Sequence, residues 1–203
     1  MNEQTVFIVD DDTAVRDSIQ ELVESVGLSA ESYDSGQAFL EHYQPERSGC
    51  LVLDVRMAGM SGLLLQEKLN ALGAAIPVIM ITGHADVPMA VQALKAGAVD
   101  FVQKPYRNQL LLDSINNALT MDAMARHARD DSQAHERQLA RLTKREQEVL
   151  DKLLAGSISK QIARELGIST RTVEAHRQSL LRKLGVGSVT ELMLHPIAHE
   201  RRE

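Results

Sequence analysis

Val6-Phe7-Ile8-Val9-Asp10-Asp11-Asp12 sets four consecutive apolar residues against three carboxylates. A strand with one wet face alternates polar and apolar residues, whereas a run apolar on both faces belongs to a parallel sheet covered by helices on each side. Val78-Ile79-Met80-Ile81 has the same character. Downstream of the first run, Val15, Ile19, Leu22, Val23 and Val26 recur at helical spacing, and Gly27 follows as a stop. Further β-rich runs lie at 28–33, 50–53, 76–81 and 99–102, each followed by helical text; the stretch Val87 to Ala96 ends at Gly97. Five βα units in succession predict an α/β domain with a five-stranded, doubly wound parallel sheet.

In such sheets ligands sit beyond the carboxyl ends of the strands, where the strand order reverses; for a flavodoxin-like order 2-1-3-4-5 this is between strands 1 and 3. Strand 1 runs into Asp10-Asp11-Asp12 and strand 3 ends in Asp54, so up to four carboxylates face one crevice. Their repulsion calls for a cation, and oxygen ligands favour a hard divalent ion, Mg2+. Thr82 follows strand 4 with a hydroxyl, and Lys104-Pro105 follows strand 5 with an ammonium. A carboxylate nucleophile, a metal, a hydroxyl and an ammonium together suit phosphoryl transfer to Asp54. Taken singly, Asp12 reads better as a helix N-terminal charge, and Lys104-Pro105 as a surface turn. The coincidence at four strand ends carries the functional reading.

The 203 residues are 44% hydrophobic and 25% charged, the composition of a globular chain large enough for two small domains. No apolar run reaches the roughly 18 residues of a membrane span, and the first residues lack a basic secretory flank, so a cytoplasmic protein with no membrane partner is expected. The single cysteine, Cys50, excludes an internal disulfide and reads as an inert core residue. Residues 1–122 carry a net charge of −10 and residues 139–203 of +4, which assigns different partners to the two ends. The stretch 123–138 is polar, rich in alanine and free of Gly and Pro, a helical linker continuing the fifth helix.

From Leu139 on the text is helical. Thr143-Lys144-Arg145-Glu146 is a capping box, and Ser159 and Ser169 are candidate N-caps. Helices predicted at 148–154, 160–166 and 170–184, with Gly167-Ile168-Ser169 between the last two, form a helix-turn-helix. In the last of these Val173, Leu180, Leu181 and Leu184 make an apolar face, leaving Glu174, Arg177 and Gln178 free for a major groove. A helical bundle with this turn need not bind DNA, and four net positive charges are a modest footprint.

Residues 5–120 resemble the receiver domain of bacterial two-component response regulators, on Val9-Asp10-Asp11-Asp12, Asp54 with Arg56-Met57 and Gly59-Met60-Ser61-Gly62, Thr82-Gly83-His84, Ala96-Gly97-Ala98 and Lys104-Pro105. Residues 139–203 resemble the LuxR-type DNA-binding domain, on Leu142 to Glu146, Val149-Leu150, Lys160 to Ala163, Ser169 to Val173, His176 and Lys183-Leu184. Together they resemble the FixJ/NarL class. The resemblance implies that Asp54 accepts a phosphoryl group from a cognate sensor histidine kinase, and that Asp11, Asp54 and the Arg56 carbonyl bind Mg2+, with Asp10 helping through water. It further implies that Thr82 and Lys104 meet the phosphoryl oxygens and that Phe101 reorients with Thr82. For double-stranded DNA it implies contacts from Lys160, phosphate contacts from Thr172, His176, Arg177 and Lys183, and base contacts from Glu174, Ala175 and Gln178. Val189, Leu192 and Met193 would serve dimerisation, with RNA polymerase as a further partner and a homodimer as the phosphorylated state. Ala58 departs from the proline common at its place, which implies a looser loop after Asp54.

His84 reads as a surface side chain and His195 with His199 as solvated. An aspartyl-phosphate phosphotransfer enzyme or a scaffold is the alternative. The haloacid-dehalogenase pattern, however, wants a second aspartate where Arg56 stands, and a scaffold leaves the C-terminal domain without a task. The expectation is a regulator that is not a turnover enzyme.

Overall fold

The computed structural model describes residues 4–83 and 87–194, which places His84, His195 and His199 outside the described residues. The chain forms two compact units that meet between Arg126 and His127. In the first, β1 (Thr5–Val9), β2 (Ser29–Tyr33), β3 (Gly49–Asp54), β4 (Val78–Thr82) and β5 (Asp100–Gln103) alternate with α1 (Thr13–Ser25), α2 (Gly36–His42), α3 (Gly62–Ala71), α4 (Val87–Lys95) and α5 (Asn108–Ala140). All strand pairs are parallel, in the order β2-β1-β3-β4-β5.

Successive side chains of a strand point to opposite faces, and here both faces are buried. Val6, Ile8, Cys50, Val52, Ile79 and Ile81 pack with Ile19 and Val23 of α1 and Leu111 and Ile115 of α5. Phe7, Val9, Leu51, Leu53 and Met80 pack on the other side with Phe39 of α2, Leu65 and Leu69 of α3 and Ala93 of α4. Cys50 lies wholly inside, and burial pushes its thiol up to about 12, so the inert reading of this residue stands.

The end of the sheet away from the aspartates is tied by a polar clamp. Asp122 on α5 is buried and accepts from Ser48 Oγ (2.7 Å), the Gly49 amide (2.9 Å) and Arg126 Nε (2.9 Å). The same guanidinium donates to the carbonyls of Pro45, Glu46 and Arg47. The first compact unit runs to Arg126, and the first turn of the expected linker is hydrogen-bonded into it. Helix α5 continues without a break through that linker to Ala140.

The second unit is helical: α6 (Lys144–Leu154), α7 (Ser159–Leu166), α8 (Thr170–Leu184) and α9 (Val189–Leu194). Both halves of the Thr143/Glu146 capping box form, and Ser169 caps α8 by accepting from the Thr172 amide. Ser159 does not cap α7; Ile158 holds that position without a side-chain bond, and Ser159 is already in the first turn. Gly167 ends α7 at φ 66°, a left-handed conformation that suits glycine and sets the sharp turn into α8. Val149, Leu150, Ile162, Val173, Leu180 and Leu184 fill the core between them. Among the described residues no helix is long and apolar enough to cross a membrane.

Candidate functional site

Four backbone amides engage the carboxylates beyond β1 and β3. Asp12 is the N-cap of α1, accepting from the Ala14 amide, so its carboxylate serves the helix start, as its position suggested. The Asp12 amide donates to Asp10 Oδ1 (2.9 Å), and the Arg56 amide to Asp54 Oδ2 (2.7 Å). The Ala58 amide donates to Asp11 Oδ2 (2.8 Å). Gly62 opens α3 directly beneath Asp54: a Cβ there would stand 2.2 Å from the Asp54 carbonyl oxygen, so no larger residue fits.

Lys104 follows β5, its amide bonded to the Thr82 carbonyl (2.8 Å) and its peptide bond to Pro105 cis. The ammonium donates to Asp10 Oδ2 (2.6 Å) and Asp54 Oδ1 (2.8 Å). Both carboxylates are nearly closed to solvent, at 1% and 5% exposure. Burial pushes the Asp54 carboxyl above its ordinary value, Lys104 opposes this, and the Asp10 charge adds to the rise. Burial also works against the Lys104 charge, but its bonds to Asp10 and Asp54 outweigh it and hold the ammonium above its usual value. Thr82 closes β4, buried beside the end of β3. Phe101 lies on β5 opposite Met80, packed against the second core face.

The structure thus joins Asp10, Asp54 and Lys104 directly and leaves Asp11 bonded across the crevice to Ala58. Among the described residues no group of three or more carboxylate, histidine or cysteine side chains is set to hold a metal. The donor chemistry still fits a hard divalent ion. Asp10 and Asp54 are close enough to share one cation, their negative charge exceeds that of Lys104, and Asp11 lies on the adjoining turn.

Two residues of this site escaped the sequence reading. Arg16 reaches back from α1 to donate to the Asp10 carbonyl (2.7 Å) and to Thr13 Oγ1 (2.9 Å). Tyr106 is partly buried near the cluster, which pushes its phenol up through burial, with Lys104 opposing. Arg16 was legible in principle, since a long side chain in the first turn of a helix leans toward the helix N-terminus; Tyr106 carried no such signal.

In the helical unit, Thr172, Ala175 and Gln178 lie on the exposed face of α8, with Glu174, His176 and Arg177 half-buried beside them. Glu174 stands 3.6 Å from Arg177, and Thr172 shares a hydrogen bond with Ser169. Arg171 and Arg182 are also exposed on this helix, and Lys160 lines a depression of about 390 Å³ with Ile158, Gln161 and Arg164; of these six residues only Lys160 was assigned to DNA from the sequence.

Lys183, expected at a DNA phosphate, also bonds within its own unit. It donates to buried Glu146 (2.6 Å) and to the Arg141 carbonyl (3.1 Å), locking the end of α8 to the start of α6. The residues expected to serve dimerisation, Val189, Leu192 and Met193, lie on α9. Leu192 is wholly buried in the unit's core, and Val189 and Met193 pack against that core, so this i, i+3, i+4 stripe fastens α9 to its own domain. Leu194 is the exposed apolar residue of α9, at 78% exposure, beside the exposed Thr190 and Glu191.

Comparison with known proteins agrees with both geometries. Residues 6–116 match the response regulator receiver domain family, and residues 140–195 the bacterial regulatory proteins of the luxR family. The chain is 47% identical to the transcriptional regulatory protein TdiR of Thauera aromatica, over 95% of this chain and 85% of that one. It is 43% identical to the transcriptional regulatory protein FixJ of Azorhizobium caulinodans, over 93% and 89%. Among solved structures it is similar to the response regulator StyR (TM-score 0.91, 46% identity, 98% and 99% covered) and to full-length FixJ from B. japonicum (TM-score 0.59, 38% identity, 95% of each).

Proposed function

Because the chain belongs to the response regulators that join a receiver domain to a luxR-type DNA-binding domain, and so regulates transcription within a two-component system, we propose that Asp54 is its phosphoacceptor. The observation that carries this is the Lys104 ammonium held between Asp10 and Asp54 at the switch point between β1 and β3. A buried carboxylate pushed toward its neutral form is poor at capturing a proton-free phosphoryl group on its own, and Lys104 keeps the reactive oxygen ionised and oriented. In the transfer from a histidine kinase, an Asp54 oxygen forms the new O–P bond while the N–P bond of the donor phosphohistidine breaks and its electron pair stays with the imidazole. Asp10, Asp11, Asp54 and the Arg56 carbonyl would hold Mg2+, which when bound supplies positive charge to the phosphoryl oxygens.

The Thr82 hydroxyl and the Lys104 ammonium then meet the new oxygens, and Phe101 follows Thr82. The changed face of β4, β5 and their helices would favour a homodimer. Two copies place their α8 helices about one turn of DNA apart, roughly 34 Å. Arg171, Arg177, Arg182, Lys160 and Arg164 supply phosphate contacts in this reading, while Glu174, Ala175 and Gln178 face base edges. RNA polymerase is the partner through which bound DNA would be read out. The chain acts as a regulator, and its receiver is consumed and restored rather than turning over a substrate.

The test is DNA affinity and oligomeric state of the full chain with and without Mg2+ and beryllofluoride. A rise in both, absent in Asp54→Asn, is expected; equal DNA binding by the variant and the beryllofluoride-treated wild type would overturn this assignment.

A further inference from the structure

The three carboxylates at the crevice are not equivalent. Asp10 and Asp54 both face Lys104, while Asp11, exposed on the turn after β1, accepts a hydrogen bond from the Ala58 amide at 2.8 Å. That bond runs across the crevice, from the β1–α1 turn to the β3–α3 loop. It is made by backbone, so every residue at position 58 could supply it except proline, which has no N–H. Alanine stands here where the resembling domains commonly have proline. The loop presenting this amide is held at both ends. On one side the Arg56 amide is bonded to Asp54; on the other, Ser61 caps α3 by accepting from the Leu64 amide, and Gly62 donates to the Val55 carbonyl (3.0 Å).

We infer that the Ala58 amide is a latch on Asp11, a positioning group that sets how readily the site takes up its divalent cation. The inference rests on the reading of Asp10, Asp11 and Asp54 as the cation site. With the latch closed, Asp11 is engaged with the loop rather than with its two neighbours. Loading the cation therefore requires the Asp11 oxygen to leave the Ala58 amide or to share it, and part of the binding free energy is spent on that exchange. Conversely, the β3–α3 loop senses the cation, because its amide loses or weakens a partner at that moment. An exposed hydrogen bond to a carboxylate is modest, so the effect on affinity is about two- to fivefold.

The experiment titrates Mg2+ by calorimetry into the full-length wild type, Ala58→Pro and Ala58→Gly. Ala58→Pro removes the donor and is expected to bind Mg2+ about two- to fivefold more tightly, whereas Ala58→Gly keeps the N–H and should match the wild type. In parallel, the Ala58 amide of the unaltered protein is followed by nuclear magnetic resonance; saturating Mg2+ should shift it and speed its exchange with solvent. Ala58→Pro binding no tighter than Ala58→Gly, or an Ala58 amide indifferent to Mg2+, would overturn the latch while leaving the cation site standing. Should Asp54→Asn and the wild type both fail to bind Mg2+ at all, the cation site itself is refuted and the latch with it. The resonance measurement needs no variant, so a misfolded Ala58→Pro protein would not obscure the result.

Discussion

Lys104 and Lys183 each stand 2.6 Å from a buried carboxylate, Asp10 in the first unit and Glu146 in the second, yet the two clusters reach opposite electrostatic states. Lys104 serves two carboxylates. Burial pushes Asp54 up and Asp10 adds to the push, so one ammonium leaves the pair short of positive charge. Lys183 serves one. Burial also pushes Glu146 up, but Lys183, Ser179 and the Thr143 amide and hydroxyl together pull it down to about 2. Counting charges separates the roles: the satisfied cluster fastens helices, and the deficient one keeps an appetite for another cation.

Removing the cation from the satisfied cluster should give the largest effect. Lys183→Met leaves Glu146 buried and unpaired, and the helical unit should lose about 3 kcal/mol in denaturant unfolding of the full chain. A loss within error would show that water, not Lys183, satisfies Glu146. A third polar cluster calibrates the comparison. Arg126→Ala strips Asp122 of its cation and three loop carbonyls of their donor, and should cost the first unit about 2 kcal/mol, with faster amide exchange at Gly49.

In the deficient cluster the sign reverses. Asp54→Asn relieves a repelled, buried charge while Lys104 keeps Asp10, so the first unit should gain about 1 kcal/mol as it loses the Asp54 carboxylate. Any loss of stability on this substitution would mean that Lys104 needs both partners. The pH dependence should be the finest discriminator. Glu146 titrates lower when folded, so its contribution is complete above the ordinary carboxylate value of 4.5 and fades as pH falls toward about 2. Asp54 titrates higher when folded, so its penalty is present at neutral pH and eases as acid protonates it. The advantage of Asp54→Asn over wild type should therefore shrink on mild acidification, before the helical unit begins to weaken.

Much of this is legible in the sequence alone. Strands with two apolar faces could form only in a covered parallel sheet, and the carboxylates at their ends marked the crevice. The Thr143/Glu146 capping box and the Ser169 cap were also legible, because caps depend on residues three apart. Less legible is which side chains are already engaged inside their own unit. Lys183 is basic and lies on α8, and its charge is met by Glu146, thirty-seven residues earlier. Leu192 lies wholly in the core of its own unit.

The order of elements, the acidic crevice with Asp54, and the helix-turn-helix were determined by the sequence itself, through periodicity, turn residues and carboxylates placed at strand ends. Only the tertiary structure decided which charges are spent and which remain available. Arg16 on the Asp10 carbonyl, Ala58 on Asp11, Arg126 on Asp122 and Lys183 on Glu146 include partners far apart in the chain and backbone groups that every residue carries. Hydrogen bonds form wherever folding brings donor and acceptor within reach, and a backbone amide leaves no mark in the sequence that announces which carboxylate it will meet.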